Sequence, residues 1–364
     1  MHTHITRAHL KGFRNIQDTE TTFREGLNII IGPNGCGKTN FLWLLANIWG
    51  NEANDTKIKG NIDIDAYEDN NSINRIECII NHNHSIENNR IVTTKKNIQI
   101  IEKNINDNIT KTSNVEGFDF LTLLISFNIP QNLDGFDKQS TASGHFDDVF
   151  WIDVFNNWII KENVFNNSFN KTFNNTNDIL NWLQFPKKII RAIKNYTPIE
   201  DIRTRYPLSL NDIKEKHGEF RISNLYYEFK VNNEWFEWQH LSDGTKRIVW
   251  IVLNILFANN QEVILLEEPE LGIHPLQLNK LMEFIKDESK EKQIIITTHS
   301  PEVLNWVDLD ELDRIKMMRY EDVSQTAVIK NISRKEQELI KKYVNETGFL
   351  SDYWLYVNLE TEVE

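Results

Sequence analysis

The sequence predicts an α/β fold built on a mixed, largely parallel sheet, with an antiparallel β lobe and a helical insertion. Three observations predict it. A Gly-rich turn joins a β-branched run to an apolar helix near the N-terminus. A β-α-β-α-β order of signals fills the C-terminal part, which implies parallel strands with helices on the sheet faces. Between these lie short alternating runs separated by Asn-rich turns, the pattern of antiparallel strands.

The elements follow in order. "ITRAHLKGF" alternates as a strand does, and "GLNIIIG" is a β-branched run ending in glycine, as in a buried strand. "TNFLWLLANIW", 39–49, is apolar all round and suits a buried helix. The runs "IDIDA", "RIECII", "RIVTT" and "IQIIEKNI" make up the β lobe. From 105 to 205 the chain is rich in Asn, Phe and Trp and reads as a mainly helical insertion. "LYYEFKVNNEWFEW" then reads as a hairpin turning at Asn232 and Asn233, residues that tolerate positive φ. A buried helix from about Thr245, the strand "VILLE", a helix over 275–287 and the strand "QIIITT" complete the reading. The predicted domains are 1–104 and 206–364, the two halves of one head, with 105–205 inserted between them.

With 364 residues, 40% hydrophobic and 26% charged, the chain is long enough for two domains, or for one large domain with an insertion. A net charge of −13 gives no bulk support for a nucleic-acid surface. Cys36 and Cys78 are too few for a disulfide framework or a structural zinc site and fit a reducing cytoplasm. The N-terminal residues lack the apolar core of a signal peptide. The greasiest run, 248–258, falls short of the roughly 20 residues that a membrane span needs. The expectation is a soluble cytoplasmic protein without a membrane partner.

"GPNGCGKT", 32–39, matches G-x-x-x-x-G-K-[ST] in full, between strand and helix. Gly32, Asn34, Gly35, Cys36 and Gly37 supply a backbone that can wrap phosphates, and the helix N-terminus adds partial positive charge. Lys38 is predicted to reach the β- and γ-phosphates, and the Thr39 hydroxyl to ligate Mg²⁺. "VILLEEPELGIHP", 263–275, crowds three acids into four positions after an apolar strand, an arrangement that mutual repulsion and desolvation oppose. Glu267 is assigned to the metal, Glu268 to polarising the attacking water, and Glu270, past Pro269, to the turn. In "LSDGTKR", 241–247, Ser242 is an N-cap and Gly244 permits close backbone approach, ahead of an apolar helix whose N-terminus can receive a phosphate. In "TTHS", 297–300, His299 ends the last strand and is a candidate to hydrogen-bond a phosphate oxygen, a role that its place after the acidic strand favours over a purely structural one.

In this order and spacing the four segments resemble the ATP-binding-cassette-like ATPases of the SMC, RecF and overcoming-lysogenisation-defect group. "LSDGTKR" looks like their signature loop, with Asp243 where many cassettes have Gly. "ILLEEPELGIHP" looks like their Walker B and D-loop, with Glu267 in place of Asp, and "IIITTHSPEVL" like their switch-histidine segment. The resemblance implies an ABC-type ATPase head using ATP and Mg²⁺. It also implies a head-to-tail dimer or higher oligomer in which Ser242 and Gly244 of one subunit act on nucleotide held by another. A Mg²⁺-sensing Gln is expected between the phosphate loop and the signature, and Gln131 is the candidate.

The departures narrow the branch. There are no heptads for SMC arms, no Cys-x-x-Cys hook, and too few residues after His299 for an appended nuclease domain. Asp308, Asp310 and Asp313 in "DLDELD" read as a solvated face. What remains resembles the stand-alone ATPases of bacterial antiphage operons, including Septu-, PARIS-, AbiL- and retron-associated systems. Their pattern implies a sensor and scaffold that answers to DNA or a phage product and controls a separate nuclease or toxin effector. Two other readings stand beside this one: a RecF-like repair ATPase, and an ATP-binding scaffold with negligible turnover. Salt-dependent DNA affinity separates the first of these from the defence reading, and turnover separates the second.

Overall fold

The structure is a computed structural model that describes residues 2–13, 15–47, 59–67, 73–87, 90–104, 109–115, 122–125, 187–204, 213–216, 219–222, 227–237, 240–258, 263–321, 324 and 326–357. The strands are β1 (His2–Phe13), β2 (Ile16–Thr22), β3 (Leu27–Ile31), β4 (Lys59–Tyr67), β5 (Ile73–Glu87), β6 (Arg90–Asn104), β7 (Ile109–Val115), β8 (Thr122–Ile125), β9 (Asp201–Thr204), β10 (Ile213–Lys216), β11 (Glu219–Ile222), β12 (Tyr227–Val231), β13 (Glu234–Glu237), β14 (Val263–Glu267), β15 (Ile294–Thr298), β16 (Ile315–Glu321) and β17 (Thr326–Asn331). The α-helices are α1 (Lys38–Asn47), α2 (Lys187–Tyr196), α3 (Asp243–Phe257), α4 (Pro275–Glu288), α5 (Arg334–Thr347) and α6 (Leu350–Val357). The chain divides into two compact units. One comprises Met1–Phe127, Ala258–Leu271 and Ile285–Glu364; the other comprises Asn128–Phe257 and Gly272–Phe284.

The first unit holds two six-stranded sheets. The central one runs β17-β16-β3-β15-β14-β8. Its strands from β16 to β8 are parallel, and β17 closes the edge antiparallel to β16. β3 and β15 are buried along their whole length, as a parallel strand covered on both faces must be. Asn28 is the polar exception in β3, and its carboxamide is satisfied by the backbone N–H and carbonyl of Arg24. The sequence placed β3, β14 and β15 within a residue of their observed bounds, because period, length and flanking turns agree there.

The second sheet runs β2-β1-β4-β5-β6-β7 and is antiparallel throughout, matching the predicted β lobe. A register shift between Ile5 and Arg7 changes which face the β1 side chains take, so Ile5, Ala8 and Leu10 are all buried. The two sheets are stitched together by Gln293, whose carboxamide accepts the Ile5 N–H at 2.8 Å and donates to the Ile5 carbonyl at 2.9 Å.

The domain boundary expected at 104 falls between β6 and β7, which pair with each other in the lobe. Of the segment expected to be a helical insertion, the described residues form β7, β8, α2 and β9, and β8 joins the central sheet beside β14. Residues 126–186 lie outside the described residues. The second unit contains the three-stranded sheet β13-β12-β9 and the ribbon β10-β11. α2 and α3 pack their apolar faces over the three-stranded sheet in a core of Ile189, Ile193, Ile202, Phe229, Val249 and Leu253. The β12–β13 hairpin turns at Asn232 and Asn233 with φ of 50° and 66°, the left-handed pair the sequence predicted. Asp308 and Asp313 pair with Lys286 and Arg24 at partly exposed positions, as expected of a solvated face.

Candidate functional site

Parallel strands β3, β14 and β15 end at one edge of the central sheet, and each delivers one part of the site there. In open α/β sheets, ligands bind outside the carboxyl ends of such strands. The chain leaves β3 at Ile31 and enters the Gly-rich loop, whose Gly32 N–H donates to the carbonyl of Thr298 at 3.3 Å. Gly32 cannot be larger, since a Cβ there would stand 2.0 Å from the carbonyl oxygen of Met318 on β16. Gly37 has φ +109°, and a Cβ on it would meet the Asn15 carboxamide at 2.5 Å. Asn15 braces the loop: its side chain donates to the Cys36 carbonyl at 3.4 Å and accepts from the Asn40 carboxamide at 2.7 Å. Motif reasoning missed Asn15, which precedes the loop by 17 residues and matters only once β1 and β2 are folded over it. Cys36 is buried against the loop, while Asn34, Gly35 and Thr39 are exposed.

Lys38 opens α1 and is 4% exposed. Its ammonium donates to the loop's own carbonyls, Gly32 at 2.9 Å and Pro33 at 3.0 Å, and lies 3.7 Å from Glu268 Oε1. The lysine is therefore already inside the turn that its motif assigns to phosphates. Glu268 lies one residue past β14 with φ +42°, a left-handed conformation that costs a residue with a Cβ roughly 1–2 kcal/mol. The turn holds it there: its N–H donates to the Thr297 carbonyl at 2.8 Å and its carbonyl accepts the Leu271 N–H at 3.1 Å. Strain confined to one acidic residue at a strand end is characteristic of functional positions.

His299 follows β15 and closes the cluster. Its Nδ1 lies 3.5 Å from Glu268 Oε1 and 3.5 Å from Glu270 Oε1. The structure thus brings Lys38, Glu268 and His299 together from three strand ends. Glu270, which the sequence assigned to the turn, instead carries its carboxylate to Thr298 and His299. Glu267 ends β14 half-buried, in register with Thr297.

The signature residues belong to the second unit. Ser242 caps α3: its hydroxyl accepts the Thr245 N–H at 3.2 Å and shares a hydrogen bond of 2.8 Å with the Thr245 hydroxyl. Gly244 allows α3 to touch the D-loop, because a Cβ there would lie 2.6 Å from the Gly272 carbonyl oxygen. Gln131 lies outside the described residues.

Among the described residues, no three His, Cys, Asp or Glu side chains stand close enough to hold a metal ion by themselves. Thr39 stands exposed at the start of α1 and Glu267 half-buried at the end of β14; a hydroxyl and a single carboxylate are the oxygen donors that an ion keeping several waters, such as Mg²⁺, would use.

The sheet order, the phosphate loop and the acid–histidine cluster define a P-loop ATPase head of the ABC-like AAA kind. The profile of the family described as "AAA domain, putative AbiEii toxin, Type IV TA system" matches residues 27–305, and the chain belongs to that family. Septu protein PtuA of Bacillus thuringiensis is 26% identical over 337 residues, 85% of this chain and 74% of that protein. DNA replication and repair protein RecF of Desulfitobacterium hafniense is 65% identical over 38 residues, 10% of each chain. Among solved structures, an Smc head bound to the C-terminal domain of ScpA, from Pyrococcus furiosus, aligns with a TM-score of 0.55 at 12% identity. It covers 94% of this chain and 100% of that one. A second Smc head, bound to the C-winged helix domain of ScpA, aligns with a TM-score of 0.50 at 14% identity, covering 92% and 99%. The ABC-type ATPase-head fold expected from the four motifs is the fold this chain shares with these Smc heads. No helix among the described residues is long and apolar enough to cross a membrane.

Proposed function

We propose that this chain is a Mg²⁺-dependent ATPase that serves as the sensor and scaffold of an antiphage defence complex and controls a separate nuclease or toxin effector. The chemistry rests on one observation, the convergence of Lys38 and His299 on Glu268 Oε1 at 3.7 and 3.5 Å. In this reading the loop N–H groups and Lys38 hold the phosphates, with Lys38 exchanging its present carbonyl partners for phosphate oxygens. Thr39 and Glu267 hold Mg²⁺, which offsets phosphate charge. Glu268 orients and deprotonates the attacking water, and His299 steadies the terminal phosphate beside it. Ser242 and Gly244 close the site from a second subunit. The biological setting rests on likeness to Septu protein PtuA along most of both chains. The RecF match spans a tenth of each chain, and the net charge of −13 weighs against a DNA clamp.

The test is ATP turnover of the purified protein beside Glu268→Gln, with oligomer size recorded with and without ATP and Mg²⁺. Turnover in the wild type, a loss of about 10²-fold or more in the variant, and a nucleotide-trapped oligomer are expected. Binding of ATP by both proteins in one stable assembly, with turnover in neither, would replace the enzyme by a nucleotide-gated scaffold.

A further inference from the structure

Glu270 stands in a turn that does not use its side chain. The turn is closed by the backbone bond from Leu271 to Glu268, yet the Glu270 side chain is only 7% exposed and reaches across to the end of β15. There a single oxygen, Oε1, gathers three contacts. It accepts the Thr298 hydroxyl at 2.6 Å and the His299 backbone N–H at 3.2 Å, and it lies 3.5 Å from His299 Nδ1. The Thr298 hydroxyl accepts the Ser300 N–H at 2.9 Å, so the whole bend from Thr298 to Ser300 hangs from this carboxylate. The other oxygen, Oε2, is buried without a hydrogen-bond partner among the described residues. A carboxylate kept out of water with one oxygen unsatisfied is a costly way to hold a bend, and such groups call for a functional reason.

We propose that Glu270 is a positioning residue of the ATPase site: it fixes the bend after β15 and sets the His299 ring beside Glu268. The proposal rests on the ATPase reading above. The His299 side chain is 38% exposed, so the ring has room to turn and needs a tether. Glu268 and Glu270 each place Oε1 3.5 Å from the same ring nitrogen, Nδ1, which leaves Nε2 as the nitrogen these carboxylates do not engage. Which nitrogen a neighbouring carboxylate takes decides which one the ring offers to a ligand. Without Glu270 the bend loses two acceptor bonds and the ring loses one of its two guides, while Lys38 and the phosphate loop keep all of theirs.

The experiment compares ATP turnover in the wild type, Glu270→Ala, Glu270→Gln, His299→Ala and the Glu270→Ala/His299→Ala double variant. A second readout is the His299 ring-nitrogen NMR signal in ¹⁵N-histidine-labelled protein, assigned by its loss in His299→Ala. Glu270→Ala is expected to lower kcat by roughly 10- to 100-fold with KM changed less than about twofold. Glu270→Gln keeps the acceptor for Thr298 and His299, so it is expected to recover much of the loss while still shifting the ring-nitrogen signals. On the His299→Ala background the alanine substitution is expected to cost less than about twofold, since the two residues act as one unit. An equal loss with and without His299, or His299 signals unmoved by either substitution, overturns the proposal. If Glu270→Ala does not fold, the ring signals of Glu270→Gln decide alone. A wild type without turnover whose His299 signals still depend on Glu270 sinks the ATPase reading and leaves the positioning contact standing.

Discussion

Lys316 shows how a single buried charge ties stability to pH. It lies on β16 beside Ile30 of β3, is 2% exposed, and donates to the Asp313 carbonyl. Burial lowers its pKa from 10.5 to about 8; Asp313 opposes the shift, and Arg24 and Arg314 add to it. The folded-state value lies below the unfolded one, so folding penalises the ammonium. The penalty is fully present below about pH 8 and is relieved as pH rises toward 10.5. A difference of about 2.5 units corresponds to about 3 kcal/mol at 1.36 kcal/mol per unit. Denaturant unfolding of the wild type and Lys316→Met at several values from pH 7 to 10.5 should show the stability difference moving in favour of the wild type, by up to about 3 kcal/mol. A difference that stays flat with pH would mean that the folded protein holds the ammonium as comfortably as water does.

At the scale of elements, the contact between α3 and the D-loop is made backbone to backbone. The 2.6 Å left for a Cβ between Gly244 and the Gly272 carbonyl is too small for any real side chain, and neither partner is a flexible tip that could swing away. Gly244→Ala should therefore push the first turn of α3 off the D-loop, at about 1–3 kcal/mol, and lower ATP turnover by displacing Ser242 with it. Thermal unfolding and turnover of the same variant check both. An alanine with wild-type stability would show that the two segments separate freely. The sequence revealed Gly244 as a point of close approach but could not name Gly272, 28 positions later. The same distinction runs through the fold. β3, β14, β15 and the Asn232–Asn233 turn were legible because each carries its own period, flanks or φ requirement. β8 was not, because the four residues Thr-Leu-Leu-Ile inside an Asn-rich stretch become a strand only by pairing with β14, and that pairing is decided by residues far away in sequence. Glu270 was misread for the same reason, its partners being at 298 and 299.

For the whole molecule, the motif residues are divided between the two compact units, with Lys38, Glu268 and His299 in one and Ser242 and Gly244 in the other. The proposed closure of the site by Ser242 and Gly244 of a second copy can be put to a complementation test. On the proposed function, Lys38→Ala removes the group assigned to the phosphates and Ser242→Arg blocks the residue assigned to the facing subunit, so neither variant alone would retain an intact composite site. In an equimolar mixture that exchanges subunits, each mixed dimer carries one site with an intact Lys38 facing an intact Ser242, and one site with neither. Random pairing then predicts a return to roughly a quarter of wild-type turnover if the two sites act independently. The net charge of −13 opposes self-association where screening is weak, so the mixture belongs in about 0.15 M salt, where charges farther apart than ~8 Å are largely hidden from one another. Turnover in the mixture no higher than the mean of the separate variants, with mixed dimers demonstrated by mass, would mean that each chain completes its own site or that both sites must be intact together. Turnover that climbs with the fraction of mixed dimers assigns the Lys38 and the Ser242 of one working site to different subunits.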